Sequence, residues 1–241
     1  MRREQSAGFI VVRETPRGAL FLLLQSQKGF WGFPKGGIKK GECFIDTAVR
    51  ELKEETGIDH FFIVSGFRTQ IRYIHEGKKG RAHKTVTLYL AKTDTAKVLL
   101  SHEHATFRWL SHEDVIKAIT FRRAQQLFER AHQFYMGARE MITVQERIYC
   151  ETKRIPKGKV GTYMRIAKEC GVTTRGVGSA LAYNYDSRVP CHRVVASSGK
   201  VSGYNRGVVQ KVQMLKKEGV SLQAIGKISR VADMHEYCYC I

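Results

Sequence analysis

The sequence lacks the features that would place it in a membrane or in an oxidising compartment. No run of eighteen apolar residues occurs in its 241 positions, so no segment has the length of a membrane span. The six cysteines include no C-x-x-C pair, and the N-terminal residues do not form an apolar signal core. We therefore expect reduced thiols rather than a disulfide framework, in a cytoplasmic or nuclear protein, nucleoid-associated if the source is prokaryotic.

Acidic residues are scarce relative to basic ones. The chain has 22 Asp and Glu against 41 Lys and Arg, a formal charge of +19 at pH 7. Residues 1–140 hold 24 basic and 15 acidic side chains, and residues 141–241 hold 17 and 7, so neither half is simply a basic tail. A charge of this size favours polyanionic partners such as nucleic acid or nucleotides. A solvated surface of mixed charge explains the first half equally well, and the second half less well.

The hydrophobic pattern divides the chain into two parts. The first part mixes strand-like segments (8–12, 19–24, 61–67, 69–75 and 86–91) with helix-like ones (45–56, 113–119 and 122–135), which predicts an α/β sandwich with a mixed sheet between helices. After residue 158 two short helical segments flank a glycine-containing turn, a helix-turn-helix candidate in a small, mainly α domain. We expect domains at 1–140 and 145–225, followed by a tail at 226–241.

Three glutamates lie close together in the helix predicted at 45–56. Glu51, Glu54 and Glu55 stand at i, i+3 and i+4, so all three project from one face. Like charges at this spacing repel, and a hard divalent cation held by oxygen ligands removes the conflict. The alternative is an ordinary solvated acidic face, and Glu54-Glu55 taken alone would favour it.

The whole segment 36–58, GGIKKGECFIDTAVRELKEETGI, resembles the Nudix box of pyrophosphohydrolases. The resemblance implies a Nudix sandwich in which water attacks a phosphoanhydride of a nucleoside diphosphate linked to another group, with Mg²⁺ or Mn²⁺ as cofactor. It makes Glu51 and Glu55 the principal metal ligands, with Glu54 assisting and the Gly36 carbonyl completing the shell. Arg50 would orient the glutamates, and the identity of the catalytic base stays open.

The resemblance extends over about residues 6–135 and is specifically to asymmetric diadenosine tetraphosphate hydrolases, which implies cleavage to ATP and AMP. It carries phosphate binding to Lys35 and Lys84, and a role as further metal ligand or base to Glu103. Tyr89 and Phe134 are candidates for stacking on adenine and are equally consistent with core positions. Other dinucleoside polyphosphates or a damaged nucleoside triphosphate remain alternative substrates.

A second candidate site surrounds Cys191. The segment PCHRV at 190–194 flanks this cysteine with His192 and Arg193, an electropositive setting that favours the thiolate. A thiolate is a natural acceptor for a soft alkyl group. For these five residues alone, a structural cysteine beside surface charges is the simpler interpretation.

The longer series from 155 to 219 resembles the C-terminal, DNA-binding domain of O6-alkylguanine-DNA alkyltransferases, a winged helix-turn-helix-like fold. The resemblance implies that double-stranded DNA is bound through the minor groove and that the alkylated guanine is flipped into a pocket. Arg175 would fill the place that the base leaves, and Tyr163 would help to rotate the nucleotide. Asn184 would hold the helix-turn-helix against the active-site loop, and Arg193 would contact DNA.

By the same resemblance, Cys191 would take the alkyl group irreversibly, activated by His192 and Glu218 through a water-linked relay. Three features depart from the family's pattern. The segment from Asn184 to Cys191 is one residue short and lacks the usual proline, Arg206 stands at a pocket-rim position that is often small, and the family's own N-terminal domain is replaced. An alternative hypothesis therefore makes the second half a non-catalytic DNA- or lesion-binding module attached to a Nudix hydrolase.

Overall fold

The computed structural model describes residues 2–77, 80–226 and 228–239, apart from the side chains of 75–77 and 225. The chain divides into two compact units, Met1–Ala138 and Arg139–Ile241. No helix within the described ranges is long and apolar enough to cross a membrane.

A mixed sheet forms the centre of the first unit. Its strands are β1 (Arg2–Thr15), β2 (Gly18–Ser26), β3 (Trp31–Gly32), β4 (Lys35–Gly37), β5 (Phe62–Gly77), β6 (Gly80–Lys92) and β7 (His104–Leu110). The main path runs β3-β2-β1-β6-β5, with β4 paired to β1 and β7 paired to β2. Strands β1 and β6 are parallel and the other pairs are antiparallel, so the predicted mixed sheet is confirmed.

Three helices pack on this sheet: α1 (Phe44–Thr56), α2 (His112–Ala118) and α3 (Arg122–Gly137). In α1, Ala48 and Leu52 are fully buried one turn apart and anchor the helix to β1. The helix ends at Gly57, which adopts a left-handed conformation with φ of 67° that an L side chain rarely accepts. Packing of Ala48 and Leu52 against β1 and the stop at Gly57 thereby fix the position of the glutamate-bearing helix.

The structure differs from the prediction between residues 61 and 75. Two strands were expected there, but β5 is one long strand with a register irregularity between Ile63 and Arg68. Gly66, with φ of 87°, lies inside this irregularity. A bulge at glycine lets the chain continue in the same sheet after a local kink, so the turn-like residue does not end the strand.

The second unit is mainly helical. It contains α4 (Arg139–Lys153), α5 (Tyr163–Cys170), α6 (Thr174–Ala182), α7 (Val208–Lys217) and α8 (Met234–Tyr237), with short strands β8 (Gly161–Thr162), β9 (Val194–Val195), β10 (Leu222–Ile225) and β11 (Ile228–Val231). Gly171, at φ 64°, ends α5, and the Thr173 hydroxyl accepts a hydrogen bond from the Gly176 amide at the start of α6. The predicted helix-turn-helix pair is therefore present as α5 and α6.

The segment predicted as a tail contributes to the core of the second unit. Strand β11 pairs with β10, and Val231 joins a buried cluster with Val160, Leu215 and other apolar residues. The Val160 amide donates to the Tyr237 carbonyl, and the Val160 carbonyl accepts from the Tyr239 amide, both at 2.7 Å. Val231, Met234 and Tyr237 recur every third residue and pack on this cluster. The polar residues between them hide this apolar face in the sequence, which is why the segment was predicted to be a tail.

Candidate functional sites

Arg50 organises the carboxylates of the first candidate site. Its guanidinium donates to Glu51 at 2.6 Å, to Glu54 at 2.9 Å, and to Glu42 at 2.6 and 2.9 Å. A further hydrogen bond of 3.0 Å reaches the Gly37 carbonyl. The fork geometry of arginine holds several carboxylates in fixed orientations, as expected for an orienting residue.

Glu42 was not assigned a role from the sequence, although it is one of the fixed glutamates of the box. Its hydrogen bond with Arg50, assisted by the Lys39 amide, lowers the pKa of Glu42 to about 2. A signal for it was present in the motif spacing, because seven residues separate Glu42 from the Arg50-Glu51 pair.

Glu55 is the most buried of the acidic side chains, with 7% of its surface exposed. Burial raises its pKa to about 7; the Lys35 charge and a 2.9 Å hydrogen bond from the Lys35 amide oppose the rise, while the charges of Glu51 and Glu103 add to it. The predicted ligands Glu51, Glu55 and Glu103 thus interact through their charges at one site. A buried group under this repulsion is one that a cation would stabilise as the carboxylate.

The backbone at Gly36 lies directly against the Glu51 carboxylate. A Cβ atom at this position would stand 2.0 Å from the carboxylate carbon of Glu51, so only glycine allows the approach. This places the Gly36 backbone against the Glu51 carboxylate, and metal binding by the Gly36 carbonyl stays a prediction.

The two predicted phosphate-binding lysines also belong to this site. Burial lowers the pKa of Lys35, and the neighbouring Lys84 charge lowers it further, against the pull of Glu55 and Glu51. Two ammonium groups that repel each other beside buried carboxylates form a site for an anion accompanied by a cation.

A cleft of about 570 Å³ opens beside these groups, with Lys35 and His104 in its lining. Its walls are mainly apolar and aromatic, including Phe30, Trp31, Phe33, Tyr73 and Phe121. The rings of Phe30 and Phe121 lie 5.9 Å apart and are 50% and 60% exposed. Large flat apolar surfaces that remain exposed are suited to stacking on a planar ligand.

The aromatic residues considered in the sequence lie elsewhere. Tyr89 packs on Phe9, with ring centroids 6.1 Å apart, and Phe134 packs on Phe67 at 5.2 Å. Neither lines the cleft. Both side chains are half-buried against a neighbouring ring, so each packs within the unit away from the cleft.

In the second unit Cys191 opens a single 3-10 turn, Cys191–Arg193, immediately after Pro190. The side chain is 5% exposed, and its sulfur accepts a hydrogen bond of 3.3 Å from Asn184. Burial raises the pKa of Cys191 to about 12 although Asn184, Lys211 and Arg206 each lower it. The expectation of a thiolate-favouring setting is therefore corrected: desolvation outweighs the surrounding positive charge.

His192 and Arg193 both converge on Glu218. The His192 ring nitrogen lies 2.9 Å from a Glu218 oxygen, and Arg193 donates to both carboxylate oxygens at 2.8 and 2.9 Å. Burial alone would raise the pKa of Glu218, but these hydrogen bonds outweigh it and bring the pKa to about 2.

The Arg193 guanidinium therefore makes its hydrogen bonds inside the second unit and is not free to contact DNA. Its third donor contacts the Ile155 carbonyl at 2.7 Å, and its side chain is 17% exposed. The predicted pairing of His192 with Glu218 is present, whereas the predicted DNA contact by Arg193 does not fit this arrangement.

Lys211 is a functional candidate that received no role from the sequence. It is fully buried, and its ammonium group donates to the carbonyls of Val194, Ser202 and Gly203 at 2.6 to 3.1 Å. Burial lowers its pKa to about 8. It also lies 3.4 Å from the Tyr163 hydroxyl, whose pKa burial raises to about 12. The sequence contained one signal for a special role of Lys211, because this lysine stands on the apolar face of α7 with Val208 and Leu215.

Arg175 lies in the first turn of α6 and is exposed. No hydrogen-bond or ion-pair partner for it occurs among the described residues. Asn184 is buried, donating to the Asp186 carbonyl at 2.9 Å as well as to Cys191. The helix-turn-helix thus presents a free arginine, while Asn184 joins its end to the cysteine turn.

Comparisons with known proteins agree with this division. The NUDIX domain family matches residues 3–131, and the family "6-O-methylguanine DNA methyltransferase, DNA binding domain" matches residues 143–220. An asymmetrical bis(5'-nucleosyl)-tetraphosphatase from Mus musculus is 38% identical over 120 residues, covering 47% of this chain and 79% of the relative. A Caenorhabditis elegans Ap4A hydrolase structure, solved as a binary complex, aligns with a TM-score of 0.52 and 32% identity, covering 56% of this chain and 98% of its own.

For the second unit, a methylated-DNA–protein-cysteine methyltransferase from Saccharolobus islandicus is 46% identical over 76 residues. This match covers 31% of the present chain and only 50% of the relative, so the chain spans half the length of such enzymes. The chain therefore belongs to the Nudix family, and a DNA-binding domain of the methylguanine methyltransferase type follows its Nudix domain.

Proposed function

We propose that the first unit hydrolyses dinucleoside polyphosphates and cleaves diadenosine tetraphosphate to ATP and AMP. The observation that carries this proposal is the buried Glu55 carboxylate, which interacts with Glu51 and with Lys35, a lysine that lines an aromatic cleft. The relatives named above support the substrate class.

The residues fit a divalent cation, Mg²⁺ or Mn²⁺. Glu51, Glu54, Glu55 and Glu103 supply oxygen ligands, and the Gly36 backbone lies against the Glu51 carboxylate. When bound, the cation polarises the phosphate and lowers the pKa of the attacking water.

The chain's own groups supply the remaining functions. Arg50 keeps Glu51 and Glu54 oriented. Lys35 and Lys84 neutralise phosphate charge, which relieves their mutual repulsion. Exposed rings at the cleft stack on adenine, and their exposure in the free protein leaves them available for it.

Product analysis tests this proposal. Diadenosine tetraphosphate incubated with the full chain and Mg²⁺ should yield equimolar ATP and AMP by ion-exchange chromatography. The Glu55→Gln variant should lose this activity, while Glu113→Gln, a change of an exposed acid in α2, should retain it. Two ADP per substrate, or faster hydrolysis of oxidised nucleoside triphosphates, would contradict the assignment.

For the second unit we propose transfer of an alkyl group from O6-alkylguanine in double-stranded DNA to Cys191. The observation in favour is the buried Cys191 sulfur, fixed by Asn184 and followed directly by the His192–Glu218 pair. In the reaction a sulfur–carbon bond forms, the carbon–O6 bond breaks, and the thiol proton passes through a water-linked relay to His192. Guanine leaves with its O6 protonated or as the keto tautomer after proton return.

The surface features fit a DNA partner. Arg175 is exposed in the first turn of α6, where it can enter a groove, and the second half of the chain is strongly basic. Tyr163, half-buried beside Lys211, keeps its hydroxyl proton at neutral pH and can donate it to the flipped base.

Intact-mass measurement separates the catalytic proposal from a binding module. After incubation with a duplex containing O6-methylguanine, the protein should gain one methyl group, and Cys191→Ala should gain none. A duplex that is bound without any mass gain would overturn transfer and favour the non-catalytic lesion-binding module.

A further inference from the structure

A cluster of two histidines and one glutamate lies in the first unit outside the nucleotide cleft. His112 begins α2, and Glu129 and His132 follow each other at i and i+3 on α3, so they share one helix face. One ligand atom from each residue lies within 4.8 Å of the others. None of the three lines the cleft.

The local contacts bring the two imidazoles together. The rings of His112 and His132 are stacked with centroids 4.0 Å apart and planes at 25°. His112 also lies 2.9 Å from a Glu129 carboxylate oxygen. Neither ring nitrogen of His132 has a hydrogen-bond partner among the described residues, although the ring is half-buried.

The cluster has an apolar floor and an open side. Phe128 stacks on His112 with centroids 5.6 Å apart, and Phe21 contacts His132 edge-on at 5.8 Å. On the other side His112 is 31% exposed and Glu129 is 41% exposed. Such a site is reachable from solvent while its ligands are held from below.

We propose that His112, Glu129 and His132 bind a divalent transition-metal ion of the zinc class, with a water or an added ligand in the fourth position. Two imidazole nitrogens and one carboxylate oxygen form a ligand set that suits Zn²⁺ and disfavours Mg²⁺ or Ca²⁺, which prefer oxygen alone. In a tetrahedral site with bonds of about 2.0–2.1 Å, ligand atoms stand about 3.3 Å apart. Rotation of the half-exposed His112 and Glu129 side chains closes the remaining distance. The bound ion would join the start of α2 to the middle of α3.

Cobalt in the presence of excess Mg²⁺ tests this site separately from the carboxylate site. Magnesium occupies the oxygen ligands near Glu51, and Co²⁺ replaces zinc at nitrogen ligands. The full chain, free of any histidine tag, should bind one equivalent of Co²⁺ with the visible absorption of a four-coordinate ion. Zinc should displace the cobalt and abolish the absorption.

Two variants and a control make the test specific. His132→Gln and Glu129→Gln should each weaken Co²⁺ binding by about 100-fold or more, since each removes a direct ligand. His83→Gln, a change of an exposed histidine on β6, should leave it unchanged. In parallel, Zn²⁺ should raise the melting temperature of the wild type and the His83 variant but not of the other two. Circular dichroism verifies that each variant folds.

Absorption unaffected by either ligand substitution would overturn the proposal, as would the absence of visible bands. A near-ultraviolet thiolate–cobalt band would assign the metal to cysteine instead and overturn it equally.

Discussion

Cys191 should react slowly with a small alkylating reagent, even though we propose it as the alkyl acceptor from DNA. Its side chain is 5% exposed, whereas Cys43 and Cys150 are exposed. With iodoacetamide at neutral pH, Cys43 and Cys150 should be modified before Cys191.

The size of the difference follows from the pKa of the thiol. Burial raises the pKa of Cys191 from 9.0 to about 12, so about 1000-fold less of it is thiolate at neutral pH. A thiolate of higher pKa is intrinsically more nucleophilic, with a Brønsted slope of about 0.4–0.5, which restores about 20-fold. The expected rate is thus about 50-fold below that of an unperturbed thiol, before the obstruction by burial is included.

Peptide mass mapping after limiting iodoacetamide measures the order of modification, with Cys191→Ser as control for peptide assignment. A duplex carrying O6-methylguanine should reverse the order, methylating Cys191 and leaving Cys43 and Cys150 unchanged. Modification of Cys191 by iodoacetamide as fast as that of Cys43 would refute the reasoning. It would indicate a thiolate stabilised by its basic neighbours.

Three further outcomes are expected. Glu55→Gln should lower kcat for dinucleoside polyphosphate hydrolysis by at least about 100-fold, measured by product chromatography, because a ligand charge at the metal is lost; an unchanged kcat would remove Glu55 from the site. Glu218 has a folded pKa of about 2 against an ordinary 4.5, so its stabilisation is present above pH 4.5 and is lost as pH falls through 2. Glu218→Gln should therefore remove at most about 3 kcal/mol at neutral pH, and about 1–2 kcal/mol after solvent screening, with a flatter acid profile. Both tryptophans lie in the first unit, so circular dichroism rather than tryptophan fluorescence should follow this change; equal pH profiles for variant and wild type would contradict it. Arg175→Ala should weaken duplex binding by about 10-fold in a fluorescence anisotropy titration and reduce its salt dependence, and unaltered binding would place the DNA surface elsewhere.

The glutamate face could be predicted because it depends on local geometry. Glu51, Glu54 and Glu55 share a face by helical spacing alone, and Gly57 ends the helix where its left-handed conformation allows. The aromatic lining of the cleft could not be predicted in this way. Phe30 and Phe121 are 91 positions apart and meet only because β2, β3 and the α2–α3 connection fold against one another.

The surroundings of Cys191 likewise depend on contacts that the local sequence does not predict. Adjacent residues indicated positive charge, but Arg193 is neutralised by Glu218 and the sulfur is desolvated by the fold. Both effects arise from contacts between residues distant in sequence. The family resemblance led to the pairing of His192 with Glu218, which the structure contains. Adjacent residues alone gave the wrong sign for the shift in the pKa of the Cys191 thiol.

Glu55 and Cys191 have one physical property in common, since burial disfavours the anionic form of each side chain. At Glu55 a bound cation would remove the penalty, and the proposed hydrolysis leaves no product covalently attached to the protein, so this site can turn over repeatedly. At Cys191 the proposed product is a neutral thioether, which carries no charge to desolvate. Burial outweighs the neighbouring groups that favour the thiolate, so the sulfur would be a poor anionic leaving group in the reverse reaction. The same burial that slows a small reagent would thus make transfer to Cys191 irreversible and limit this site to a single turnover.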